Sequence, residues 1–301
     1  MGVMKGPSSG VWLMVAAMLI LPAVDVLAKL LSQDLSPIQI SFLRVTVQAV
    51  LLMIVMRKLP RLRYPWPLTR RLVISACLVN MAITAMIWAL AYLPVANAVA
   101  LFFVEPLLVM LLSAVILREP SSLVKYVLAF TGLIGAMIVI RPNWVLYGWH
   151  TLLPVCAALC YALYLVQIRA LGGQIAAVPL QAYLSLVGAV LLLLALLIGQ
   201  SSGIKELSWL SVSAAHWRYI LALGAVSALT YWLISWAFTL SQASVLAPFR
   251  YLEIIGATML GYWVFDEYPD ALTWVGSGVI LVSGLAVIFV DRHRVSVPTR
   301  S

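Results

Sequence analysis

Six ionisable side chains stand inside long apolar runs of this sequence: Asp25, Lys29, Arg44, Glu105, Arg250 and Glu253. A charge at the centre of a bilayer costs at least ~2.5–3.5 kcal/mol on insertion scales, so each is a functional candidate by default. Three acids and three bases cancel, which predicts mutual pairing. Asp25 and Lys29 are four apart and Arg250 and Glu253 three apart, spacings that bring both members to one helix face. Arg44 and Glu105 have no such neighbour and must look across the bundle. Pairs of this kind can simply hold helices together, and Asp25 with Lys29, whose long stem can snorkel, fits that reading as well as a pathway role. Glu105 and Arg250 lie nearer the middle of their runs and read as pathway residues. Arg44 suits either role.

Uncharged polar residues fall into stripes. Asn80, Thr84 and Trp88 recur every fourth residue, Ser41, Arg44 and Gln48 share a face, and Asn97 sits eight residues before Glu105. Lipid satisfies none of these groups, so the stripes must face a bundle interior or a wet cavity. Tyr161, Tyr164 and Gln167 can add stacking and hydrogen bonds to a ligand. Trp232 and Trp236 are also co-facial, but near a run's end they read first as an interfacial belt. Pro22, Pro106 and Pro248 fall inside apolar runs, where each removes a backbone donor and can free a carbonyl to face a cavity. The candidates for substrate binding or coupling are therefore Arg44, Asn80, Thr84, Trp88, Asn97, Glu105, Tyr161, Tyr164, Arg250 and Glu253.

Other chemistries find no support. His150, His216 and His293 lie at run ends or in tails without a metalloprotease spacing, and no phosphate-binding loop pattern occurs. Cys77, Cys156 and Cys160 match no metal pattern and read as packing residues. No cofactor or metal is expected. A membrane-embedded enzyme or a lipid-carrier flippase subunit remains as the alternative to a transporter.

The elements that position these residues are set by composition. The 301 residues are 64% hydrophobic and 10% charged, with a mean hydropathy of +1.07. Soluble domains average about 45–50% apolar and about 25% charged. Lipid is the solvent for this chain, and the expected fold is all-α and polytopic. A bilayer core needs about 20 apolar helical residues. Ten spans meet that measure: 11–31, 38–56, 72–91, 95–117, 123–140, 149–168, 180–199, 217–238, 244–264 and 272–290. The first reads as a retained helix rather than a signal peptide, from its length and its internal Asp25 and Lys29. With the N-terminus inside, thirteen Lys and Arg fall in inner segments and three in outer ones, which places both termini in the cytoplasm. The net charge of +9 belongs to those inner loops, not to a nucleic-acid surface. Ala129, Gly132, Gly135 and Ala136 in span 5, and Thr273, Gly276, Ser277 and Gly278 in span 10, read as close helix-packing faces.

Displaced by 148 residues, the sequence meets itself: Trp88 with Trp236, Glu105 with Glu253, Leu112 with Leu260 and Glu119 with Glu267. This registers span 3 on span 8 and span 4 on span 9, as a duplication of five spans requires. An odd number of spans inverts the second unit, giving repeats over 11–140 and 149–290 with a site expected near the midplane between them. The match is imperfect at one point. Arg250 stands one turn before Glu253, whereas Phe102 fills that place before Glu105. Glu253 is thus expected as the fixed partner of Arg250, and Glu105 as the carboxyl that exchanges a proton, unless Arg44 or Lys29 reaches it.

This layout, with Phe42-Leu43-Arg44 in span 2, Glu105-Pro106-Leu107 and Leu117-Arg118-Glu119 in span 4, and Phe265-Asp266-Glu267 closing span 9, resembles the EamA-type members of the drug/metabolite transporter superfamily. The resemblance runs from about residue 11 to 290. It implies an alternating-access secondary transporter of a bacterial-type inner membrane. The cargo it implies is a small-molecule substrate such as an amino acid, a related polar compound or a drug, usually exported, with proton coupling as an option. The partners expected are that solute and the lipid bilayer, without nucleic acid; a homodimer stays open.

Overall fold

The structure, a computed structural model, describes residues 7–57, 65–117, 123–171, 175–200, 207–241 and 246–295. Lys5, Lys58, Arg61, Arg63, Arg118, Glu119, Gly172-Gly173, Lys205 and Arg300 lie outside those residues. Among the described residues there is no strand. The helices are α1 (Pro7–Leu31), α2 (Pro37–Met56), α3 (Trp66–Leu90), α4 (Val95–Phe102), α5 (Glu105–Ile116), α6 (Leu123–Tyr147), α7 (Leu153–Ala170), α8 (Ala177–Gln200), α9 (Ala214–Leu240), α10 (Leu252–Phe265) and α11 (Ala271–Val295). Single 3-10 turns, Gly148–Leu152 and Ala247–Tyr251, lead into α7 and α10.

Local chemistry sets the boundaries. Ser36 caps α2 by accepting from the Gln39 amide at 3.3 Å, and Pro37 opens the first turn, where its missing N–H costs nothing. Ser213 and His216 cap α9 reciprocally. Among the described residues seven helical stretches are long and apolar enough to cross a bilayer, and Tyr126–Arg141 and Ala271–Ala286 are shorter apolar helices.

Packing is mostly between segments distant in sequence. The most extensive pairings are α6 with α11, α1 with α9, α3 with α7, and α2 with α8, followed by α1 with α10 and α2 with α9. The small faces expected in spans 5 and 10 do meet. A Cβ on Gly135 would come within 2.9 Å of the Gly276 carbonyl, and one on Gly276 within 2.7 Å of the Gly135 carbonyl. The two backbones touch there, as close helix packing in lipid requires. The largest buried cluster draws mainly on α1, α4, the start of α5, α6, α9 and α10, with further side chains from α2, α3, α7 and α11. It surrounds the two places where the helices are interrupted.

Candidate functional site

Both interruptions have a backbone cause or signature. Pro106 offers no N–H to the Phe102 carbonyl, and the chain tightens at Phe103 and Val104, where the Val104 amide donates to Leu101 at 3.3 Å. The helix restarts as α5 with Glu105 in its first turn, where the Leu107 and Leu108 amides both donate to the Val104 carbonyl at 3.1 Å. In the other arm the 3-10 turn Ala247–Tyr251 gives way to α10, with Glu253 in the first turn. Glu105 and Glu253 thus each stand in the first turn of a helix that follows a break.

Asp25 from α1, Arg44 from α2, Arg250 from the 3-10 turn and Glu253 from α10 line one cavity of about 110 Å³. Phe102, Tyr161 and Tyr231 complete its polar and aromatic wall. Arg44 donates from Nε to the Ser227 hydroxyl at 2.8 Å, and that hydroxyl is aligned by donating to the Leu223 carbonyl. Asp25 feels the charge of Arg44, and Glu253 lies in the fields of both Asp25 and Arg250. The cavity thus holds two acids and two bases on separate helices, so it can face both ends of a dipolar solute. The rings of Phe102 and Tyr161, 5.7 Å apart, offer an apolar side.

Arg250 is committed across the bundle. Its Nη2 stands 3.1 Å from Oε2 of Glu105, whose side chain is 2% exposed. This differs from the expected partnership of Arg250 with Glu253. The cation that reaches Glu105 is Arg250 itself, because the break before α5 aims Glu105 at the turn before α10. Lys29 also leaves its in-helix neighbour. It pairs with Glu267, donates to the Leu93 carbonyl at 2.7 Å and lies over the Phe265 ring, while Glu267 accepts from the Val95 amide at 3.2 Å. These contacts tie together the ends of α1 and α10, the α3–α4 turn and the start of α4.

The remaining expected residues are dispersed. Tyr164 is buried behind Tyr161, with ring centroids 5.3 Å apart, in a separate cluster with α3 and α8. Asn97 donates to Asn143 at 2.7 Å between α4 and α6, away from the cavity wall. Asn80, Thr84 and Trp88 line a second cavity of about 400 Å³ between α2, α3, α7 and α8. Trp232 and Trp236 stand together, both 37% exposed, and line neither cavity. Asp25, Ser227 and Tyr231 join the site from outside the expected binding set. The last two are four residues apart on α9, a stripe as legible as that of Asn80 and Thr84.

Comparison with known proteins adds a second line of observation. The sequence profile of the EamA-like transporter family matches residues 8–141 and again 148–290. A riboflavin transporter of Vibrio cholerae is 30% identical over 199 residues, which cover 65% of this chain and 64% of that protein, so the chain spans less than two thirds of that relative. An S-adenosylmethionine uptake transporter of Rickettsia felis is 24% identical over 91% of this chain and 90% of its own length. A pseudopaline exporter of Pseudomonas aeruginosa is 28% identical over 93% of this chain and 95% of its own. One solved crystal structure shares the fold with a TM-score of 0.65 at 19% identity, covering 96% of this chain and 99% of that one.

Proposed function

The chain belongs to the EamA-like transporter family, and from that membership we propose that it is a ten-span secondary transporter moving a small dipolar organic solute, of amino-acid type, by alternating access. The observation that carries the solute class is the cavity walled by Asp25, Arg44, Arg250 and Glu253. A carboxylate can address the guanidinium groups and an ammonium the two acids, while an aromatic wall receives the side chain. Each charge that a solute replaces in pairing also relieves a buried charge of its isolation, which favours opposite charges on one ligand.

The transport path lies between two inverted five-helix units, 11–140 and 149–290. Two features support this reading: the family profile matches once in each half, and the helix contacts come in mates. If α1, α2 and α3 correspond to α7, α8 and α9, the pairing of α1 with α9 has its counterpart in α7 with α3. That of α2 with α9 has its counterpart in α8 with α3, and α2 meets α8 and α6 meets α11 across the axis. Such an axis lies in the membrane plane, where transporters of this construction place their sites. Both termini are cytoplasmic, from the inner bias of Lys and Arg. We read the direction as export, since the exporter relative aligns at 28% identity along nearly the whole chain and the uptake relative at 24%. Asp25 and Glu253 are the carboxylates free to carry a coupled proton, because Glu105 is engaged by Arg250.

The test uses the purified protein in liposomes loaded with a mixture of unlabelled amino acids. Saturable counterflow of a radiolabelled amino acid is expected, accelerated by an imposed proton gradient, with the gradient effect lost in Glu253→Gln. Counterflow of none of the labelled amino acids, with full activity towards an uncharged solute, would overturn the dipolar reading.

A further inference from the structure

The second cavity holds an arrangement that the charged site does not use. Asn80, Thr84 and Trp88 occupy one wall of a space of about 400 Å³, whose other walls are Met81, Leu191 and Leu192 among further apolar side chains, without a charged residue. Three polar atoms on that wall have no hydrogen-bond partner although they are buried: Asn80 Oδ1, Thr84 Oγ1 and Trp88 Nε1. Buried polar groups are nearly always paired, so three orphans on one helix face ask for an explanation.

Local chemistry does not supply one. Thr46, Thr131, Thr230 and Thr258 each donate to the carbonyl four residues earlier, at 2.7–2.9 Å. Thr84 does not take that option. Asn80 is fixed from its other end: Nδ2 donates to the Ala76 carbonyl at 2.8 Å, and Gly188 on α8 leaves room for the amide, since a Cβ there would fall 2.1 Å from Nδ2. The amide is 3% exposed and cannot swing out to water. Trp88 is held edge-on against Trp149, with centroids 5.6 Å apart. The three groups are thus positioned rather than floppy, and they run ~12 Å along α3.

We propose that this cavity is a second binding site, distinct from the charged one, for an uncharged heteroaromatic solute with hydrogen-bonding atoms along one edge. The absence of charge on its walls excludes an ionic ligand, whose desolvation nothing there would offset. A bare acyl chain would leave the three polar atoms as orphans. A planar ring system presents donors and acceptors at its edge and apolar faces to Met81 and the leucines, and methionine sulfur packs well on aromatic rings. Met81 is 58% exposed at the rim, so the cavity opens through the flank of the bundle, where a neutral solute can arrive from the bilayer. The site does not depend on the transport reading, because its occupancy is a binding property.

The probe is lumiflavin, an uncharged fluorescent tricycle with alternating donors and acceptors on one edge, titrated against the full chain in nanodiscs. Saturable quenching is expected. Thr84→Val keeps the shape of the wall and removes one hydrogen bond, while Trp88→Phe removes another together with part of the ring, and each should weaken binding roughly threefold to tenfold. Ala195→Phe, which fills the cavity, should abolish it. Thr84→Val keeps the test informative if Ala195→Phe fails to fold. No saturable quenching by the unsubstituted protein would overturn the proposal. So would loss of binding in Arg44→Ala with binding retained in Ala195→Phe, which would move the probe to the charged cavity. Displacement of lumiflavin by decanol with unchanged affinity in Thr84→Val and Trp88→Phe would show an acyl-chain groove instead, and would likewise sink it.

Discussion

Arg44 and Glu105 show how differently two buried charges can be used. Among the described residues Arg44 donates to the Ser227 hydroxyl on α9 and lines the cavity, so its charge stays available to a solute. Arg44→Ala is therefore expected to raise the KM for counterflow roughly tenfold or more, the worth of one charge-assisted hydrogen bond, with membrane abundance near normal. Abundance that collapses while transport per molecule persists would make Arg44 a packing residue. Glu105 is the opposite case, since its carboxylate is spent on Arg250. Glu105→Gln takes from the Arg250 guanidinium its hydrogen-bonded counter-charge and leaves Glu253 as the nearer remaining acid. The loss is up to about 3–5 kcal/mol where such a pair is fully buried and less at this partly exposed arginine. Abundance and thermal stability should fall. The double variant Glu105→Gln/Arg250→Gln should recover abundance but not transport, and a double variant as unstable as the single would sink this account.

At the scale of helices, breaks and clasps matter more than single spans. Lys29 and Glu267 join the ends of α1 and α10 to the α3–α4 turn, and His216 with Asp34 adds a contact at 3.1 Å between the start of α9 and the α1–α2 turn. Gln39 closes the same region twice, donating to the Leu210 carbonyl at 2.9 Å and accepting from its amide at 3.0 Å. One end of the bundle is therefore cross-tied by polar contacts, and the alternating access proposed above requires those ties to open. Lys29→Ala should favour the opened form. In that variant, with Cys77, Cys156 and Cys160 replaced by Ala, a cysteine at Ala28 in the cavity wall should react with an external impermeant maleimide several-fold faster. Equal rates in the two backgrounds would show that these ties do not gate the cavity.

For the whole molecule the decisive issue is how the halves are oriented. Asp34 follows α1 and Ala170 closes α7, which in the proposed layout are the first helices of the two units. In an inverted arrangement these equivalent ends face opposite sides of the membrane. On a cysteine-free background, Asp34→Cys should be labelled from outside by an impermeant maleimide, and Ala170→Cys only after the membrane is opened. Labelling of both from the same side of intact cells would refute the inversion.

The sequence by itself determined the solvent, the helical class and the family resemblance, and it singled out six charges within apolar runs, because these follow from composition and from periodicity within one helix. It also made the small faces of α6 and α11 legible, since glycine in lipid has few uses other than close approach. Partner choice was beyond it. Spacing brought Lys29 to Asp25 and Arg250 to Glu253, yet in the structure Lys29 goes to Glu267 and Arg250 to Glu105. A neighbour on the same helix meets a side chain at one angle only. A neighbour across a broken helix can meet it head-on, and where little water competes the better geometry wins. The same reason separates Asn80, Thr84 and Trp88 from the charged cavity. Their stripe was plain in the sequence, but which space it faces depends on how α3 is rotated against α7 and α8, and packing alone sets that angle.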